Sequence, residues 1–268
     1  MLKMKFTFVF LVFSILALPV FAKDLPDSIK GKWEVAEVHI NTEASRAPFY
    51  AWNDPRLVGR IFTFSPDQIS NDTPENFECL TPWIKIAVTD SDELIKKSMA
   101  GYGYPAIHAD AKAYQLDLGR DRNPEIMQVY CKDKLWNGNL GAERNMQGSW
   151  LFLTDGNRIL LRWYDETILV LDRISSNQKP NPSFDCLKSS TDVENEICHS
   201  IELSSFDRSV SEAYKLALSQ YRDASNDFAS FMRGQKTWLA ARNTCGADNK
   251  CVLASMKKRL DELSALSQ

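Results

Sequence analysis

Cys186-Leu-Lys-Ser-Ser-Thr191-Asp-Val-Glu194-Asn-Glu-Ile-Cys198 and, further on, Cys245-Gly246-Ala-Asp248-Asn-Lys-Cys251 decide how the last third of this chain folds. Thr191 followed by Glu194 reads as a capping box, so a short helix starts there and ends near Cys198. Gly246 suits the position just past a helix end, and Asp248 suits the next N-cap. Around these joints run three helical patterns. Phe206, Val210, Ala213, Tyr214, Ala217, Leu218 and Tyr221 recur at three- and four-residue steps, as one face of a helix requires. Phe228, Phe231, Met232, Trp238 and Leu239 mark a second helix, and Val252, Leu253, Met256, Leu260 and Leu263 a third. Amphipathic helices joined by short turns bury their stripes against each other, so a small bundle follows. A Cys245–Cys251 bond would staple two consecutive helices at their turn. A Cys186–Cys198 bond would pin the short helix to the chain leading into it. Each such bond contributes about 2–3 kcal/mol on the loop-entropy model, which matters for a bundle too small for a large core.

This arrangement resembles the LprI-type lysozyme-inhibitor domain family. The resemblance covers about residues 183–263. It rests on Phe184-Asp185-Cys186, Thr191-Asp-Val-Glu194, Ile197-Cys198, Leu203, Asp207, Tyr214, Gln235, Trp238-Leu-Ala-Ala-Arg242, Cys245-Gly246 and Cys251. The family is named for members that bind and block lysozyme in the bacterial envelope. The resemblance therefore implies a protein partner, lysozyme or another lytic glycosidase. It supplies no motif for the inhibitory contact.

At the other end, residues 1–22 read as a secretion signal. Lys3 and Lys5 give the positive end, residues 6–20 an apolar run too short to span a membrane, and Val20-Phe21-Ala22 the small cleavage residues. Cleavage after Ala22 predicts a soluble protein of the periplasm or outside the cell, without a membrane anchor, where cysteines pair. With 268 residues, 25% charged and 44% hydrophobic, the chain has room for two globular domains. Lys+Arg number 32 and Asp+Glu 35; loss of Lys3 and Lys5 leaves 30 against 35, mildly acidic. That balance argues against a nucleic-acid partner and is compatible with a basic one.

Residues 23–174 predict a separate β domain. Residues 31–40 open it, with Trp33, Val35 and Glu37 opposing Glu34, Ala36, Val38 and Ile40. Further strands are expected over 58–64, 83–88, 113–118, 126–131, 149–153, 158–164 and 167–174. Asp155-Gly156-Asn157 and Asp165-Glu166 are the turns of the last two hairpins. Gly31-Lys-Trp33 in the first strand, with an arginine in the last, resembles the lipocalin and calycin pattern, in which a buried Trp is covered by that Arg. The resemblance makes Trp33 the buried residue and Arg173 its cover, with Arg162 a second candidate. Cys79 and Cys131 form the remaining pair. A short helix is expected over 92–99, begun by Asp90 and Glu93. The loops 41–57 and 89–112 carry Tyr50, Trp52, Tyr102 and Tyr104. These aromatics either rim a barrel mouth or fold back as lids on its core. The polar stretch 175–182, with Pro180 and Pro182, reads as the linker.

The expected architecture is thus α+β in two domains: a lipocalin-like antiparallel β-barrel over 23–174 and a disulfide-stapled small helical bundle over 183–268. Nothing in the sequence points to catalysis, a cofactor or a metal. His39, His108 and His199 lack metal-ligand spacing, and no nucleophile elbow or phosphate loop is present. Asp165-Glu166 is better explained as a turn than as a glycosidase pair. The expected function is non-covalent occlusion of a lytic enzyme. An acidic run of Asp192, Glu194, Glu196 and Glu202 is the candidate contact, although acids at a helix start also serve the helix dipole. A carrier of a small apolar ligand in the barrel and a structural envelope module are the alternatives.

Overall fold

A computed structural model describes residues 23–44, 48–100, 108–118, 123–141, 146–154, 157–223 and 228–266. The expected signal segment, Tyr102, Tyr104 and most of the Asp155-Gly156-Asn157 turn lie outside the described residues. The amino-terminal part holds β1 (Lys23–Asp24), β2 (Gly31–His39), β3 (Ile61–Phe64), β4 (Gln68–Asn71), β5 (Cys79–Leu80), β6 (Pro82–Val88), α1 (Ser91–Met99), β7 (Glu125–Cys131), β8 (Lys134–Leu135), β9 (Trp150–Thr154), β10 (Arg158–Arg162) and β11 (Ile168–Arg173). Four helices complete the chain: α2 (Asp192–His199), α3 (Ile201–Asp223), α4 (Phe228–Asn243) and α5 (Asn249–Ala265).

The strands form one antiparallel sheet, in the order β1-β6-β7-β9-β10-β11-β2-β3-β4-β5, with β8 on β7. The first long strand, β2, is flanked by its successor β3 and by the last strand β11. The sheet curls because its far ends lie on adjoining chain. β5 pairs with β4, and β6, one residue later, pairs with β7. Thr81, at φ +46°, turns the backbone between them, and the Cys79–Cys131 disulfide ties β5 to β7. The result is a curled antiparallel half-barrel.

Trp33 sits fully buried on β2, its indole N–H donating to the Ile29 carbonyl at 2.8 Å. Arg173, directly opposite in the β11 register, lays its guanidinium over the Trp33 ring at 4.0 Å. Its Nη1 donates to the Lys30 carbonyl at 2.8 Å. Gly31 is required beside it: at φ +118° only glycine is unstrained, and a Cβ there would press on the Arg173 Nη1. Arg162 has a different post. It donates to the carbonyls of Ser98 (2.6 Å), Gly148 (3.0 Å) and Met146 (3.1 Å). The Ser98 contact places a cation at the carboxyl end of α1.

Alternation in β2 is broken by a bulge. Leu171 faces Val35 and Val170 faces Glu37, so Ala36 is the extra residue. The slip carries Val38 onto the same face as Trp33 and Val35, in the inner core with Phe62, Leu161 and Trp163. A second core lies on the sheet's other side, where α1 and residues 109–114 cover Trp150, Phe152, Leu160, Ile168 and Val170. Strands β9–β11 are therefore buried on both faces, which explains their unbroken apolar runs Trp150-Leu-Phe-Leu153 and Ile168-Leu-Val-Leu171. Residues 113–118, expected as a strand, form a turn instead. The Asp110 carboxylate accepts the Ala113 N–H at 2.7 Å, and Gln115 takes φ +51°.

The bundle packs on the sheet through α3. Ser205 Oγ donates to the Gly59 carbonyl and Ser209 Oγ to the Val58 carbonyl, at 2.5 and 3.0 Å. Arg60 is completely buried there. Its guanidinium lies 3.2 Å from the Phe206 ring centre, and Nη2 donates to Ser209 Oγ at 2.9 Å. Burial pushes Arg60 down to about 10, against the opposing pull of Asp72 and Glu34. Arg208 pairs with Glu34. The segment expected as a linker is fastened along the same seam. Gln178 donates to Glu34 at 3.3 Å, and the Asn181 N–H donates to Ser204 Oγ at 3.3 Å.

Gly59 adopts φ +82°, and a Cβ there would collide with Ser205 Oγ. Gly59→Ala should therefore destabilise the protein by about 1–3 kcal/mol. Gly234→Ala, in α4 where a Cβ meets nothing within 4 Å, should stabilise by about 0.5–1 kcal/mol. Urea unfolding of both variants checks the opposite signs.

Candidate functional site

The bundle is assembled from the residues that carried its sequence pattern. Thr191 Oγ1 accepts the Glu194 N–H at 3.2 Å while Glu194 Oε2 accepts the Thr191 N–H at 3.1 Å, a complete capping box. Asp248 caps α5 through the N–H groups of Lys250 and Cys251. Disulfides join Cys186 to Cys198 and Cys245 to Cys251. The core between them is Val193, Ile197, Leu203, Phe206, Val210, Ala213, Ala217, Val252, Met256, Leu260 and Leu263.

A polar knot lies within it. Asp207, 7% exposed, accepts the Ser183 N–H at 2.8 Å and the Ser183 hydroxyl at 2.6 Å. It faces Arg242 Nη1 at 3.5 Å. Arg242 is 4% exposed, its guanidinium 5.3 Å from the Trp238 ring centre. Burial pulls the Arg242 pKa below the arginine range, against the opposing charge of Asp207. Gln235 accepts from Arg259 Nε at 3.0 Å, and Tyr214 stacks on Phe231 at 5.2 Å. These signature residues hold α3, α4, α5 and the entering chain together; the structure uses them as joints.

What remains for a partner is the outside. Along α4, Phe231 and Trp238 pack inward only in part, and Met232 and Leu239 are exposed. The four acidic candidates do not form one free patch. Asp192 is exposed and Glu196 half-buried, one helical turn apart on α2. Glu194 is engaged in the cap, and Glu202 lines a cleft facing Lys32 and Asp72 of the β part.

In the loop 48–56, Tyr50 is buried and its hydroxyl donates to Glu75. Burial, reinforced by Glu75, raises the Tyr50 pKa. Trp52 is half-buried, its ring 4.3 Å from that of His39. Asp165 is a turn residue at φ +50°, and its carboxylate accepts the Phe49 and Tyr50 N–H groups. His39 Nδ1 lies 2.7 Å from the Tyr114 carbonyl and Nε2 3.0 Å from Glu37. His108 meets Asp110 at 2.7 Å, and His199 meets the Asn195 carbonyl at 2.6 Å. Among the described residues, no three or more His, Cys, Asp or Glu side chains are placed to hold a metal.

Residues 186–263 match the model of the family described as Lysozyme inhibitor LprI. The bundle is LprI-like. Lipoprotein LprI of Mycobacterium bovis and lipoprotein LprI of Mycobacterium tuberculosis are each 32% identical to this chain over 116 residues. The aligned part covers 39% of this chain and 56% of each relative, so the chain spans about half the length of the curated relatives it matches. No solved structure matches the chain. No helix among the described residues is long and apolar enough to cross a membrane.

The sequence pattern named Asp207 and Arg242 without revealing that they pair. The one available signal was that Asp207 falls on the apolar side of the α3 repeat, between Phe206 and Val210. Asp207→Ala would strand the Arg242 charge inside the bundle and should cost about 3 kcal/mol by chemical denaturation. Glu194 gives a pH test. N–H and hydroxyl donors from Ser190 and Thr191, the Ser190 N–H foremost, hold its carboxyl below 4.5. With the folded value depressed, the contribution is present above the unfolded pKa and is lost as pH falls through the folded one. Glu194→Gln should therefore flatten the fall in urea midpoint between about pH 5 and pH 3.

Proposed function

We propose that this chain is an exported binding protein that inhibits lysozyme or a related lytic enzyme by non-covalent occlusion. The observation that carries the reading is the match of residues 186–263 to the lysozyme-inhibitor family. The geometry supports it by what it offers a partner: short helices locked by two disulfides and a buried ion pair. A surface fixed before contact loses little conformational entropy on binding. Export fits three disulfides with no free cysteine among the described residues. It places residues 1–22 as a removed signal and the mature protein in the periplasm or outside the cell. In the same reading, residues 23–174 are a lipocalin-like β-barrel domain and residues 183–268 the inhibitory domain. The Trp33–Arg173 contact and the β2–β11 pairing support the barrel.

The apolar-carrier alternative is disfavoured by the inner face of the sheet. Trp33, Phe62, Leu161 and Trp163 fill it, each with no exposure. An inner face filled by its own side chains leaves an acyl or steroid ligand nowhere to go.

Full-length protein added in increasing ratio to a lysozyme lysis assay on bacterial cells should slow clearing in a saturable manner. Lower ionic strength should strengthen the effect if Asp192 and Glu196 touch a basic enzyme. Unchanged clearing at large molar excess, with correctly paired disulfides verified by mass mapping, would reject the proposal.

A further inference from the structure

The loop 48–56 and α3 enclose two open clefts of about 570 and 630 Å³ that meet at Trp52, Pro55 and Leu216. Together they make one trough running beside α3 from Ser205 to Gln220, roughly 22 Å at the helical rise. Its floor is apolar and partly open to solvent, with Phe49 55% and Leu216 42% exposed. Its walls are polar: Asn53, Glu212 and Lys215 on one stretch, Ser219 and Gln220 on the other.

The platform is held in place before any ligand arrives. The Asn53 N–H donates to the Val38 carbonyl, and Asn53 Oδ1 accepts the Val38 N–H, both at 2.9 Å. Trp52 rests on His39. Asp54 grips Arg56 at 2.8 and 3.0 Å, and the Arg56 guanidinium lies 4.4 Å from the Phe49 ring centre. Aromatic faces fixed in this way offer area at low entropic cost.

The lining selects a ligand class. Glu212 and Lys215 pair with each other at 3.3 Å, and Arg208 is tied to Glu34. With no net sign, the trough favours neither nucleic acid nor a strongly charged peptide. It is open and edged with hydroxyl and amide groups, unlike the enclosed apolar pocket an acyl chain needs. Nor does it offer a strand edge. The loop N–H groups of Phe49, Tyr50, Ala51, Asn53 and Asp54 are already donated within the protein, so an extended peptide would find few main-chain partners.

We propose that this trough is a binding site for a neutral oligosaccharide strand. The C–H faces of successive sugar rings lie on Trp52, Phe49 and Leu216. Their hydroxyls accept hydrogen bonds from the Lys215 ammonium and the Asn53 side-chain amide N–H, donate to the Glu212 carboxylate, and do either with the Gln220 amide. The site is independent of any lysozyme contact and is tested without that enzyme.

The probes are tetramers of glucose, β-1,4-linked and α-1,4-linked, and of N-acetylglucosamine, titrated into the full chain at millimolar concentration. Calorimetry and the Trp52 indole N–H resonance, assigned with Trp52→Phe, report binding. At least one tetramer should bind and shift that resonance. Trp52→Ala should weaken it about tenfold, the equivalent of one aromatic contact. Leu216→Glu, a change at an exposed position that intrudes into both clefts, should abolish binding while the unfolding temperature stays near that of the parent. Trp52→Phe should retain it within a few-fold. No binding of any tetramer overturns the proposal. So does binding indifferent to Trp52→Ala and Leu216→Glu, or a response to a short polyproline peptide with none to sugars.

Discussion

One seam holds this molecule together: the backbone at Gly59 and Arg60 laid against the first half of α3. Ser205 and Ser209, four residues apart and so on one helical face, donate to the carbonyls of Gly59 and Val58. Between them Phe206 spreads its ring over the buried Arg60 guanidinium. Such a contact demands close approach, which glycine at position 59 permits. It also demands that a cation leave water, and the ring of Phe206 and the charges of Asp72 and Glu34 offset that desolvation. The same Gly59–Arg60 segment exchanges hydrogen bonds with Val35 of β2. Helix, seam and first long strand are therefore continuous, and the chain between residues 174 and 183 is stitched to both sides.

That continuity bears on how an LprI-like bundle acts in this chain. The face of α3 that carries Ser205 and Ser209 is taken up by residues 58–60, and α2, the outside of α4 and one side of α5 are among the surfaces of the bundle left exposed. The family's signature residues do not lie on those surfaces as contacts. Asp207, Gln235, Trp238 and Arg242 meet one another or neighbouring helices. They hold the scaffold together from within. A scaffold held by staples and a buried ion pair tolerates surface substitutions, because these leave its core untouched.

The β part supplies the other exposed feature. Its inner face is packed with Trp33, Phe62, Trp136 and Trp163, and its outer face carries α1. Asp165, in a turn with positive φ at two successive residues, reaches out to hold the loop 48–50. The loop's aromatics divide accordingly. Tyr50 closes the end of the inner core against Glu75, whereas Phe49 and Trp52 face the trough beside α3.

Local signals in the sequence determined the elements that depend on near neighbours. Thr191 with Glu194, Asp248 and the two short cysteine spacings fixed the ends of α2 and α5, since a cap needs only residues three positions apart and a small disulfide loop has few ways to close. Alternation and turn residues marked most of the strands, and Gly31-Lys-Trp33 marked the strand on which Trp33 is buried. Where long-range packing intervened, those signals failed. The bulge at Ala36 switched the face of β2 from residue 37 onward, and Glu202 of the acidic run went to a cleft against the β part. The seam at Gly59–Arg60, the Asp207–Arg242 pair and the trough were decided only in the tertiary structure. Each joins residues far apart in the chain, and no local propensity records which buried charge will meet which partner.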